Sequence, residues 1–297
     1  MKSRLDDVQW ARLLTVMTVA GVCALSVHAI LLQVFNVPFP DAHFDAKLPR
    51  YFAKAICLFA LIVFLRNAVA HEQSSFLRRF AIAFLVYASL SEAILRGAFM
   101  EGYCTDAWLY AFIANLQRLV PLALASAMIA FVTPRLDRIW KCATAAAAIA
   151  ALVQFQLAPT TLSAFQGVMQ SLSAYAPAGE WCKLPYGANV LIPAYLTFVE
   201  PALGCLFAVA LCWDQLPGSE VHRLIAFTLL IVAIKNQLLT PFIYMAYAKM
   251  PAFEALASEG QFALEALTLG AMTGLGWIFI RRTSLAVRSR QWPASPS

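Results

Sequence analysis

Seven charged side chains, four acids and three bases, sit inside runs that are otherwise long and apolar enough to cross a bilayer: Glu92, Arg96, Arg118, Glu200, Lys235, Glu259 and Glu265. A cation at mid-bilayer depth costs roughly 2.5–3.5 kcal/mol on insertion scales, so each needs a carboxylate, a carbonyl or water beside it. Groups held this way can bind an anionic substrate, accept a proton, or pair with one another as struts. Lys235 is the deepest placed, in LIAFTLLIVAIKNQLLTPFIYMAY beside Asn236 and Gln237. Glu92 and Arg96 are four apart in SEAILRG and share a helix face; Asn115 and Arg118, three apart, do the same ahead of Pro121. Glu200 adjoins Pro201 in a segment that also holds Pro193 and Gly204, the breaker-rich composition of helices bent around a binding site. Gln261, Glu265 and Thr268 form a stripe on the last apolar run, near Glu259. The expected binding set is Lys235, Arg118, Glu200, Glu265, Glu92, Arg96, Asn115, Asn236 and Gln261. No residue is assigned a catalytic role.

The elements that carry these groups are helices. The chain of 297 residues is 61% hydrophobic and 13% charged, with a mean hydropathy of +0.70. Soluble domains run roughly 45–50% and about 25%, so the composition is that of an integral membrane protein. Eight apolar runs are expected as spans, near 10–36, 51–71, 78–100, 107–133, 136–157, 188–213, 222–248 and 256–280. The fold class is therefore all-α: a polytopic bundle of about eight transmembrane helices. The net charge of +6 does not imply nucleic acid, because the basic residues flank the spans and form no stripe on a folded domain. Of the 22 Lys and Arg, fourteen fall on one side, five on the other, and three at membrane depth. The excess places both termini in the cytoplasm. The first apolar run exceeds a signal-peptide core and is read as a retained span of a bacterial inner (plasma) membrane protein.

Domain organisation reduces to one transmembrane helical domain over 1–282 and a basic, Pro- and Ser-rich tail over 283–297 expected to be disordered. Between the fifth and sixth spans, residues 158–187 form the longest outer segment. Leu162, Phe165, Met169 and Leu172 recur there at helical spacing, which predicts a short amphipathic helix lying on the membrane or capping the bundle. Cys182 in this segment and Cys104 in the loop after the third span are the two cysteines clearly outside, and they are a candidate disulfide. The first outer loop alternates Asp41, His43 and Asp45, a geometry that suits a hard cation in an extended strand but reads first as a solvated loop. No C-x-x-C pair is present and the four histidines are scattered, so no metal and no cofactor is assigned.

The segment SEAILRG is similar to the Glu-x-x-x-Arg core of CAAX-type intramembrane proteases. That chemistry needs a second adjacent glutamate, where this chain has Ser91, and histidines on later spans, which it lacks. Three function classes fit the remaining pattern. The first is a transporter or permease with a charged cavity open to the outer side, taking an anionic or zwitterionic small molecule or lipid. The second is a membrane transferase acting on a lipid-linked substrate, with Asp41 or Asp45 as base. The third is an accessory or assembly subunit whose charges bind a membrane-protein partner. The first class predicts a two-fold internal repeat, although the halves show no sequence self-similarity.

Overall fold

The computed structural model describes residues 10–41, 46–69, 74–105, 107–173, 182 and 184–291. Among them every regular element is helical. Six helices are long and apolar enough to cross a bilayer: Ala11–Gln33, Lys47–Ala68, Trp108–Arg135, Ile139–Ser173, Ala188–Gln215 and Ala252–Arg281. Named in chain order, the elements are α1 Trp10–Gln33, α2 Lys47–Ala68, α3 Phe76–Leu90, α4 Arg96–Thr105, α5 Trp108–Val132, α6 Ile139–Leu152, α7 Ala158–Ser173, α8 Ala188–Thr197, α9 Val199–Cys212, α10 Glu220–Ile234, α11 Thr240–Tyr247 and α12 Ala252–Gln291.

Two apolar runs that the sequence presents as continuous are broken at mid-length. The runs near 78–100 and 222–248 each divide into two helices, α3 with α4 and α10 with α11, separated by residues 91–95 and 235–239. Both breaks have one cause. Glu92 and Asn236 take left-handed backbone angles, φ 56° and 62°. In the first break the Glu92 and Ala93 amides then fold back to Ser89 and Ala88 carbonyls; in the second, Asn236 and Gln237 reach Ala233 and Val232. This is a Schellman closure, which satisfies the last carbonyls of a helix and ends it. Asparagine tolerates the left-handed region; glutamate does so at some cost, so contacts elsewhere must hold Glu92 there.

The likeness extends well beyond the breaks. α3 and α10 are both 15 residues long, and each is capped by a serine, Ser75 or Ser219, whose hydroxyl accepts the amide three residues on. One constant offset relates Ser75 to Ser219, Glu92 to Asn236, and the residue before α5, Ala107, to that before α12, Pro251. Packing follows the same rule: α3 lies against α5 as α10 lies against α12. The stretch α10–α12 therefore repeats the backbone design of α3–α5, while most of the paired side chains differ.

Two expectations change. The outer amphipathic helix is not a separate element: α6 runs through a π turn, Val153–Leu157, directly into α7, making one helix of 35 residues. At 1.5 Å per residue this is roughly 50 Å, longer than the about 30 Å of a hydrocarbon core, and α7 packs along α5. At the other end, α12 is helical through Gln291, so the first residues of the expected tail, 283–291, are helical; the rest of it lies outside the described residues.

Candidate functional site

The two breaks meet. Lys235, at the C-terminal cap of α10, donates from Nζ to Glu92 Oε1 of the other break at 2.7 Å. It also lies 3.2 Å from Glu265 Oε1 on α12, near enough for an ion pair though not in hydrogen-bonding geometry. The lysine side chain is only 5% exposed. Glu92 in turn accepts from Arg96 Nε at 2.6 Å. Arg96 is pinned further by the Ala194 carbonyl at 2.5 Å and the Thr197 hydroxyl at 2.9 Å. Phe198 lies beneath both cations, its ring centre 5.0 Å from the Arg96 guanidinium and 5.8 Å from Lys235 Nζ. Two carboxylates and two bases thus face one another, each offsetting part of the cost of removing the others from water. These contacts also fix Glu92 in its left-handed conformation.

Glu200 does different work. Its carboxylate oxygens accept the backbone amides of Ile94, Leu95 and Arg96 at 2.9, 2.7 and 2.7 Å. It is the N-terminal cap of α4 delivered from α9, placing a negative charge where the helix presents free amides. At α11 the equivalent position is solved by sequence: Pro241, which has no amide, sits in the first turn. Asn115 is likewise a support. Its Nδ2 donates to the Ala93 carbonyl at 2.7 Å and ties the first break to α5. Gly97 permits that approach, since a Cβ there would come within 2.6 Å of Asn115 Oδ1 and 3.0 Å of the Glu92 carbonyl.

A cavity of about 590 Å³ rises from the charged crossing. Ser91, Glu92, Arg96, Lys235, Gln237 and Glu265 form its floor; Arg118 and Glu101 line it above. Its wall includes Cys104 and Cys182, which are joined by a disulfide with Cα atoms 5.3 Å apart. That bond fastens the segment before α8 to the end of α4, and Tyr186 beside it lines the cavity. Partial burial raises the Tyr186 phenol above its ordinary value, which keeps it protonated. Apolar walls come from Leu25, Leu32, Phe39, Val190, Leu191 and Phe262.

The residues selected from sequence fall into two groups. Lys235, Arg118, Glu265, Glu92 and Arg96 line the cavity; Glu200, Asn115, Asn236 and Gln261 do not. Gln261 is fully buried, donating to the Ser258 carbonyl at 2.7 Å, and Asn236 supplies backbone conformation. Asp41 is outside the wall, its amide donating to Tyr244 Oη at 2.7 Å. His43 and Asp45 lie outside the described residues. Cavity residues that spacing did not reveal are His28, Glu101, Tyr186 and Gln237. Gln237 carried a signal, being polar beside Lys235; His28 is a lone polar group in an apolar helix, a pattern equally common in satisfied cores. Among the described residues no group of three or more His, Cys, Asp or Glu could hold a metal ion.

No known family model, curated protein or solved structure matches the chain.

Proposed function

We propose that the protein is a multi-pass membrane transporter whose cavity takes an anionic or zwitterionic small molecule from the outer side of a bacterial plasma membrane. In this reading the six long helices and the two interrupted ones make eight crossings, with both termini in the cytoplasm as the lysine and arginine asymmetry requires. The cavity then opens outward and its charged floor lies near mid-membrane.

The observation that carries the proposal is the meeting of two broken helices, one from each half, at the floor of the cavity. A broken helix leaves backbone groups and charges at membrane depth, which is tolerated only where protein or a water-filled space surrounds them. Transporters use this arrangement, with the site at the interface of structural repeats and helices discontinuous beside it. Here counterparts from the two halves line one space: Ser91 with Lys235, and Arg118 with Phe262. The transferase reading has less support, since Asp41 stands outside the wall, while Asp45 lies outside the described residues.

The test is saturable uptake by the purified chain in liposomes, measured over a panel of labelled carboxylates and amino acids, with Lys235→Ala as control. In parallel, a cysteine placed at Gln33 is labelled in whole cells with a membrane-impermeant thiol reagent. Uptake that the control loses, and labelling without permeabilisation, are expected. Labelling that requires permeabilisation would overturn the orientation, and an absence of saturable uptake across the panel would overturn the transporter assignment.

A further inference from the structure

We propose that the cavity selects an organic anion with an apolar or aromatic body, its acidic group at Arg118 and its body against His28, Phe39 and Phe262. This rests on the transporter reading above and narrows its substrate class.

Most of the cavity's charges are already engaged. Lys235 and Arg96 are bonded to Glu92, and Lys235 also meets Glu265, so the floor is internally neutral. Arg118 is different. It is exposed on the cavity wall and, among the described residues, makes no hydrogen bond and no ion pair within 4 Å, although Glu101 shares the wall and feels its charge. Arg118 is therefore the lining cation left to meet an incoming anion. Arg118 lies ten residues into α5, at about 15 Å of helix length, too deep for its guanidinium to extend easily to a headgroup region. Tyr186 in the lining adds a neutral hydroxyl donor, which also suits an anion.

The facing wall has the opposite character. Arg118 and Phe262 occupy the same register of α5 and α12, related by the offset that joins the two halves, and both line the one space between them. One half contributes a cation and the other a ring. Phe262 belongs to an aromatic trio: its ring is 4.7 Å from His28 and 5.5 Å from Phe39, and His28 is 6.2 Å from Phe39. Phe39 is 55% exposed although aromatic, so the trio offers apolar surface to whatever enters. The volume of about 590 Å³ falls within the roughly 300–1,000 Å³ of small-ligand sites, which are mostly apolar with a few placed polar groups.

The experiment is isothermal titration of the full chain in detergent with five probes: 3-phenylpropionate, acetate, 2-phenylethylamine, L-phenylalanine and decanoate. The expected result is that 3-phenylpropionate binds at least about tenfold more tightly than acetate or 2-phenylethylamine, because it alone satisfies both walls. Arg118→Gln weakens it about tenfold or more, the loss expected of a charge-assisted bond, and Phe262→Ala weakens it while leaving acetate unaffected. Decanoate binding above 3-phenylpropionate also supports the class and points to a lipid-derived acyl anion as its source. The proposal is overturned if the amine or L-phenylalanine binds as tightly as 3-phenylpropionate, if Arg118→Gln changes nothing, or if no probe binds. Binding without liposome uptake would leave this class standing and remove the transporter; saturable uptake of an amine would do the reverse.

Discussion

Replacing Lys235 by methionine isolates the energetics of the crossing. The change keeps length and apolar volume but leaves Glu265, only 4% exposed at its side chain, without a cation, and leaves Glu92 with Arg96 alone. Removing one partner of a buried pair costs about 3–5 kcal/mol, chiefly because the surviving charge stays desolvated. For a chain of this size each kcal/mol corresponds to roughly 2–4 °C, so the apparent unfolding temperature should fall by about 10 °C. The assay is thermal unfolding in detergent, read by a thiol-reactive dye, since Cys57, Cys142, Cys205 and Cys212 are buried until the bundle opens. Adding Glu265→Gln to Lys235→Met removes the stranded charge and should recover more than half of the loss. Adding Glu200→Gln instead should deepen it, because Glu200 caps α4 and does not answer Lys235. If Lys235→Met unfolds at the wild-type temperature, or if Glu200→Gln rescues it as well as Glu265→Gln, then the ion pairs do not hold the crossing together and the reasoning fails.

Two further perturbations probe the supports of the cavity. Cys104→Ser opens a link between residues 78 apart in sequence, for which chain entropy sets an upper bound of about 4–5 kcal/mol; a lower unfolding temperature, matched by wild type under reductant, is the expected reading. Gly97→Ala forces a methyl against Asn115 Oδ1 and the Glu92 carbonyl, so a loss of about 1–3 kcal/mol is expected, and folded yield on size exclusion would report it.

Composition and the spacing of apolar runs determined by themselves that the chain is an all-helical bundle of membrane character, because burying backbone in lipid leaves helices few alternatives. The same reading identified Glu92, Arg96, Arg118, Lys235 and Glu265 as exceptional, since a charge in an apolar run needs a partner wherever the fold places it. What sequence could not determine was which partner. Glu200 and Glu265 are both acids at depth, yet one caps a helix through three amides and the other meets Lys235. That difference depends on which helices lie side by side, a matter of long-range packing. The two breaks were equally hidden, because neither Ser91 to Leu95 nor Lys235 to Leu239 contains a glycine or proline to announce a helix end. Long-range contacts set the first of them: ion pairs across the crossing hold Glu92 in a backbone conformation its own propensity disfavours. The repeat was invisible for the same reason. It resides in caps, lengths and backbone angles, while the side chains of the two halves have diverged into a cation on one wall and an aromatic ring on the other.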